Sequence, residues 1–220
     1  MTKRLAIFDC DGTLVDGQAN HCLAMNAAFE AAGLAPVAGN ITRRVIGLSL
    51  LESMRILVPN ADDVTHRQMV ESYKSAFLAM RENGEIEEPL YDGMAALLGD
   101  LNDSGWLLGV ATGKSDRGLD RCRGFHGIRD LFVTLQTADR HPSKPHPSMI
   151  HQALVDSKAA ALDAVMIGDT VYDVKMGVAA GCKTIGVGWG YHPLDELREA
   201  GADYLVETMD ELHTVLKDMQ

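Results

Sequence analysis

Three features of the residue pattern predict an α/β fold, with a Rossmann-like parallel sheet as the core and an all-helical insertion. The apolar run Leu5-Ala6-Ile7-Phe8 leads directly into Asp9-Cys10-Asp11-Gly12-Thr13, as a buried strand ending in an acidic turn does. From Tyr91 onward, helix and strand patterns alternate. Between these two regions, only helical periodicity is found.

Taken in order, the first strand is short and apolar throughout, which suits burial on both faces. Met25, Ala28, Phe29 and Ala32 then fall at the spacing of an apolar helical stripe, and Gly33 marks its end. Further helical patterns cover Leu50 to Leu57 and Val64 to Glu82, the second with Val70, Tyr73, Phe77 and Met80 on one side. Gly17 and the loop Gly84-Glu85-Ile86-Glu87-Glu88-Pro89 bound this block. The expected organisation is therefore a discontinuous α/β core, residues 1–16 and 86–220, with a helical unit of residues 17–85 joined by two hinge strands.

Beyond Tyr91 the predicted helices are Met94 to Ser104, Ser115 to Gly124, Ser148 to Val155, Val174 to Ala180, Leu194 to Ala200 and Met209 to Lys217. Strands are expected at Leu107 to Ala111, Phe132 to Leu135, Ala164 to Ile167, Lys183 to Val187 and Tyr204 to Val206. Alternation of this kind implies parallel strands joined by right-handed helical crossovers.

Composition narrows the function. The 220 residues are 46% hydrophobic and 23% charged, enough for a sizeable core. A formal charge of −11 argues against a general nucleic-acid or anionic-membrane surface, although one cation and one placed lysine can still reverse the field locally. No run approaches the length of a membrane span, and Met1-Thr2-Lys3-Arg4 leads into a strand and not a signal-peptide core. A soluble cytoplasmic protein is expected. Cys10, Cys22, Cys122 and Cys182 form no C-x-x-C pair and read as reduced packing residues. Cys10 should point to the face opposite the two acids that flank it.

Asp9 and Asp11 stand at the C-terminal end of a strand, where open α/β sheets keep their sites. Two crowded acids raise each other's pKa unless a cation or a shared proton relieves them, and Mg²⁺ suits oxygen ligands of this kind. An acidic Asp-Gly turn without chemistry is the plain alternative. Three further motifs follow in order: Val110-Ala111-Thr112-Gly113-Lys114, Lys144-Pro145 and Ile167-Gly168-Asp169-Thr170-Val171-Tyr172-Asp173.

With all four motifs in sequence, the chain resembles the haloacid-dehalogenase superfamily of phosphohydrolases over essentially its whole length. The branch it is most similar to is that of phosphoglycolate phosphatases and β-phosphoglucomutases. The resemblance implies that the helical unit is a cap over the active site. Asp9 would be the nucleophile and Asp11 the general acid and base, the latter partly protonated when substrate binds. Asp9, the backbone carbonyl of Asp11 and Asp169 would ligate Mg²⁺. Asp173 would assist as a ligand or through water, or else serve only as a helix N-terminal acid. Thr112 and the Gly113 amide would bind phosphoryl oxygen, with helix capping the competing role for the threonine.

Lys144 would pair with the phosphoryl group, so its removal should leave the fold intact; a lysine of this kind outside the motif order would be a solvated surface charge. His21 matches a family position near Asp11 and is otherwise an exposed helical histidine. Lys114, Arg43 and Arg44 are candidate substrate contacts or plain solvated charges. Gly17, Ser143 and Ser148 depart from residues common in relatives. Leu50 stands where the mutase branch carries an arginine for a second phosphate. The function implied is a Mg²⁺-dependent phosphatase for a small phosphorylated metabolite, with a sugar phosphomutase or a noncatalytic metabolite-binding module as alternatives.

Overall fold

The computed structural model describes residues 3–219, so Met1 and Thr2 of the leading segment lie outside the described residues. In chain order the elements are β1 (Leu5–Phe8), α1 (Gln18–Ala31), α2 (Gly39–Arg43), α3 (Leu50–Leu57), α4 (Asp63–Glu82), α5 (Met94–Asp103), β2 (Leu107–Thr112), α6 (Asp116–Phe125), β3 (Phe132–Thr137) and α7 (Ser148–Ser157). They continue with β4 (Ala164–Gly168), α8 (Val171–Ala180), β5 (Lys183–Val187), α9 (Leu194–Glu199), β6 (Tyr204–Val206) and α10 (Met209–Asp218).

Among the described residues the strands form one parallel sheet in the order β3-β2-β1-β4-β5-β6. This is the Rossmann-like arrangement, in which the chain reverses its direction of progress beside β1 and leaves a crevice at the C-terminal strand ends. Alternation along β1 divides its side chains between two cores. Ala6 and Phe8 pack with Leu98, Leu119 and Leu212 from α5, α6 and α10, while Leu5 and Ile7 pack with Met149, Ile150 and Met176 from α7 and α8. Every residue of β1 is buried, which is why the strand carries no polar side chain before Asp9.

The stretch 18–82 holds helices and no strand among the described residues. It has an apolar cluster of its own, centred on Ala24, Ala28, Met54, Met69 and Tyr73. The chain enters and leaves this layer through two adjacent segments, with Val15 bridged antiparallel to Leu90 and the Asp16 amide donating to the Pro89 carbonyl at 2.9 Å. Short paired linkers of this type concentrate bending at a few residues.

Differences from the sequence reading are local. The helix α2 is absent from that reading because five residues carry too little periodicity to register. Ala32 lies beyond α1 and is exposed, so the inward stripe ends at Phe29. The helix α8 begins at Val171, three residues before the predicted start, because Thr170 and Asp173 form a capping box ahead of the first apolar position. Thr112 belongs to β2 and not to the following loop. Cys10, by contrast, lies as expected on the face opposite the acids, in the core on the Phe8 side, its Sγ 3.9 Å from that of Cys122.

Met54 sits fully buried at the centre of the helical layer. Its replacement by alanine is expected to cost about 2–5 kcal/mol through lost contacts and a cavity, read as a lower urea midpoint.

Candidate active site

The parallel register levels three strand ends. Phe8 pairs with Val110 on one side and with Ile167 on the other, so Asp9, Thr112 and Asp169 emerge along one edge of the sheet. Lys144 approaches from the loop between β3 and α7, and Asp173 from the first turn of α8. Residues from four separated motifs thus converge at one edge of the sheet. Asp9, Lys144, Asp169 and Asp173 are all essentially excluded from solvent.

Lys144 Nζ lies 2.8 Å from Asp9 Oδ1 and 2.7 Å from Asp173 Oδ1. The second contact is a well-aligned hydrogen bond; the first is an ion pair by distance without that alignment. Burial disfavours the charge on Lys144, but the two carboxylates outweigh it and hold the ammonium above the usual lysine range. The sequence reading, which treated its loss as structurally silent, is therefore revised: a lysine this deeply paired is part of the fold, and removing it strands two buried carboxylates.

Asp173 serves two neighbours at once. Its Oδ1 accepts from Lys144, and its Oδ2 accepts from the Thr170 amide at 3.1 Å and the Thr170 hydroxyl at 2.6 Å. Asp169 is fixed by the Thr13 hydroxyl at 2.8 Å on Oδ1 and by the Tyr191 amide at 2.9 Å on Oδ2. A Cβ at Gly12 would stand 2.2 Å from Asp169 Oδ2, and one at Gly190 would stand 2.1 Å from Asp169 Cβ, so bare backbone on both sides makes room for this carboxylate.

Asp9 is different. Its Oδ1 accepts from the Cys10 amide at 2.6 Å, whereas its Oδ2 is buried with no hydrogen-bond partner among the described residues. Burial pushes the Asp9 carboxyl up to about 7, with Lys144 pulling it down and Asp173 adding to the rise. Burial likewise holds Asp169 well above the usual carboxylate range. Asp9, Asp169 and Asp173 each bring an oxygen within 4.8 Å of the others. Three buried carboxylates facing one ammonium cannot all ionise without further positive charge, and the donor set is all oxygen. Both observations fit a hard divalent cation such as Mg²⁺.

Asp11 occupies a separate environment. Its Oδ1 lies 2.8 Å from Lys114 Nζ and 3.1 Å from His21 Nε2, close ion-pair distances without hydrogen-bond alignment. Burial alone would raise the Asp11 carboxyl, yet Lys114 and His21 together hold it well below the usual range. The ionised form is therefore favoured here; the partly protonated form expected from the sequence concerns the site with substrate bound. Lys114 also binds Glu88 at 2.6 Å, and Arg81 reaches Glu88 at 3.1 Å. The sequence reading missed Glu88 and left Lys114 between a substrate contact and a solvated charge. Neither residue carries a local signal, because their burial arises only when the hinge meets the strand ends.

Thr112 Oγ1 accepts from the Lys114 amide at 3.2 Å, and it is Ser115 that caps α6, through the Gly118 amide. The capping role considered for Thr112 therefore falls to Ser115. Gly113 lies against the helical layer: a Cβ there would meet the Leu48 carbonyl at 2.5 Å and the Gly47 carbonyl at 2.7 Å. Gly47 itself faces Thr170 and Asp9 Oδ2. The Ser49 amide donates to Ser143 Oγ at 2.9 Å, so the layer rests on the loop that carries Lys144. Arg44 pairs with Glu196 on the exposed rim, and Leu50 lines the cavity between layer and sheet.

Comparison with known proteins gives a consistent result. A family model described as haloacid dehalogenase-like hydrolase matches residues 6–187. The chain is 33% identical to "Probable phosphatase IndB" of Dickeya dadantii, over 98% of this chain and 96% of that protein. It is 25% identical to a phosphoglycolate phosphatase of Vibrio parahaemolyticus, over 97% and 96%. A crystal structure of "a predicted phosphatase" from Clostridium acetobutylicum superposes with a TM-score of 0.89 at 27% identity, covering 99% of this chain and all of that one.

The Asp9 environment sets a pH dependence of stability. Its folded pKa of about 7 lies above the ordinary carboxylate value, so between roughly pH 4 and pH 7 the native state binds more protons than the unfolded one. Stability contributed by the protonated form is present below the unfolded pKa and is lost as pH rises through about 7. Metal-stripped protein should therefore lose thermal stability across this window, and Asp9→Asn should flatten the slope. An unchanged slope in Asp9→Asn would place the titrating group elsewhere.

Proposed function

The chain belongs to the haloacid dehalogenase-like hydrolase family, in its phosphatase class, and from that premise we propose that it is a Mg²⁺-dependent phosphatase acting on a small phosphorylated metabolite in the cytoplasm. Phosphoglycolate-like acids and sugar phosphates are the candidate substrates. The observation that carries this reading is Asp9 Oδ2, a buried carboxylate oxygen without a partner, beside a fully buried ammonium. An oxygen so placed costs stability unless a ligand uses it. Among the described residues no helix is long and apolar enough to cross a membrane.

In the proposed reaction, Asp9 Oδ2 attacks phosphorus as the bond from phosphorus to the leaving oxygen breaks, giving an aspartyl-phosphate and an alkoxide that takes a proton from Asp11. Water then attacks the aspartyl-phosphate and returns a proton to Asp11. Inorganic phosphate leaves, and the Asp9 carboxylate is restored. Lys144, the Thr112 hydroxyl and the Gly113 amide hold the phosphoryl oxygens. The Asp9 and Asp169 carboxylates and the Asp11 carbonyl would hold Mg²⁺, with Asp173 beside them; the ion supplies charge neutralisation at the phosphoryl group.

Asp11 starts ionised, and the arriving phosphoryl dianion, a like charge that raises a carboxyl pKa, lets it take up a proton from solvent before the leaving oxygen departs. The helical segment 17–85 acts as the cap and residues 1–16 with 86–220 as the core, the cap keeping bulk water away from Asp11 during the first step. Water is favoured over a second substrate oxygen as the final acceptor. Leu50 presents hydrocarbon to the cavity at the position where the mutase branch carries arginine, and Arg44 is engaged by Glu196.

Purified protein should release inorganic phosphate from a panel of phosphorylated metabolites with Mg²⁺, fall silent on chelation and recover on re-addition. Asp9→Asn should abolish steady-state turnover, and Asp11→Asn should slow it by about 10²- to 10⁴-fold. Full activity after rigorous metal removal, or in verified Asp9→Asn protein, overturns the mechanism. With β-glucose 1-phosphate and a trace of the 1,6-bisphosphate, phosphate release should exceed glucose 6-phosphate formation; the reverse makes the enzyme a mutase.

A further inference from the structure

The cavity beside Asp11 and Gly113 has a volume of about 430 Å³, within the roughly 300–1,000 Å³ usual for small-molecule sites. Its walls from the helical layer are largely apolar, with Met25, Val45, Leu48 and Phe77 among them. Five of its lining residues are Lys or Arg and two are Asp or Glu, in a chain whose formal charge is −11. The cations are not a random sample of the surface.

Three of the five are already occupied. Lys74 pairs with Glu71, Arg81 with Glu88, and Lys114 with Asp11 and Glu88. Arg117 and Arg121 on α6 are different: neither guanidinium is paired with a carboxylate among the described residues. The acids of the same helix turn elsewhere, Asp116 to Arg140 and Asp120 to Arg123 and Arg129. Arg117 and Arg121 stand four residues apart, so they share one helix face, and like charges at this spacing repel. An anion held between them relieves that repulsion and matches the fork geometry of two guanidinium groups.

The scissile phosphoryl group does not fill this role, because of its proposed contacts only Gly113 lines the cavity, at the rim beside Asp11, whereas Asp9, Thr112 and Lys144 lie outside the lining. The cavity is where a leaving group would extend from Asp11. Resting on the phosphatase reading above, we propose that the preferred substrate carries a second anionic group on its leaving-group side, a carboxylate or a further phosphate, and that Arg117 and Arg121 are the specificity-determining residues that bind it. The apolar wall opposite selects a hydrocarbon or ring portion between the two anionic ends.

The test uses matched aryl phosphates with Mg²⁺: 3- and 4-carboxyphenyl phosphate, their methyl esters, and 1,4-phenylene bisphosphate. The anionic esters should exceed the neutral ones in kcat/KM by about 10- to 100-fold, the range of a charge-assisted contact. Arg121→Met and Arg117→Met should remove that preference mainly through KM, leave the methyl esters unchanged, and be partly rescued by Arg121→Lys. The ratio of carboxylate to bisphosphate turnover identifies which anion the pair takes. Equal turnover of charged and neutral esters, or an equal loss on both in the arginine variants, overturns the proposal while the phosphatase reading stands. Failure to hydrolyse any of the esters or any phosphorylated metabolite overturns both.

Discussion

The burial of Asp9, Asp169 and Asp173 around a single lysine is the constraint from which the rest of the site follows. Transferring charges from water into a protein interior costs several kcal/mol per ion even after relaxation, so each must find a compensating partner. Lys144 compensates two of the carboxylates directly. Thr13, Thr170 and the Tyr191 amide take up the other oxygens of Asp169 and Asp173. One oxygen of Asp9 is left over. The steric pattern has the same origin: Gly12, Gly168 and Gly190 border these carboxylates, and a Cβ at any of them would overlap an aspartate. The glycines are thus explained by the space the acids occupy and not by turn conformation alone.

The two acids of the Asp9-Cys10-Asp11 segment are pushed in opposite directions. Burial raises Asp9, whereas Lys114 and His21 hold Asp11 down against the same effect. In the proposed mechanism the nucleophile needs the ionised form and the general acid the protonated form, so the protein by itself biases each toward the less useful state. Ligands correct both. A cation near Asp9 favours its ionisation, and a phosphoryl dianion near Asp11 favours its protonation. The charge arrangement therefore links the competence of either acid to occupation of the whole site. Lys114 extends this link to the hinge through Glu88, which Arg81 of the helical layer also holds.

Much of this was legible in the sequence. The alternation after Tyr91 identified the strands, and β5 and β6 agree to the residue. Asp9, Thr112, Lys144 and Asp169 stand together because parallel strands deliver their C-terminal ends to one edge, a property of topology that motif order already implies. What escaped notice were consequences of tertiary contact. Lys114 and Glu88 look like ordinary surface charges until the hinge closes on the loop after β2. Arg117 and Arg121 lie in a strongly charged helix whose other residues find partners, and only three-dimensional structure reveals that these two do not. The capping of α8 by Thr170 escaped notice because it depends on the side chain of Asp173, which the sequence left open between metal ligation and a helix N-terminal role.

An acidic protein handling an anionic substrate poses an electrostatic difficulty that the cavity resolves by distance. At physiological ionic strength the Debye length is about 8 Å, so the many surface carboxylates act weakly on a molecule inside the cavity. The nearest charges dominate, and along the cavity lining itself the cations outnumber the acids. A groove with low-dielectric walls strengthens their field further. The negative surface then acts as a filter rather than an obstacle. It gives little general attraction to polyanions and leaves recognition to the few cations that a small ester can reach, so under the proposal above selectivity depends on whether a ligand spans from the Lys144 cradle to the free guanidinium groups of α6.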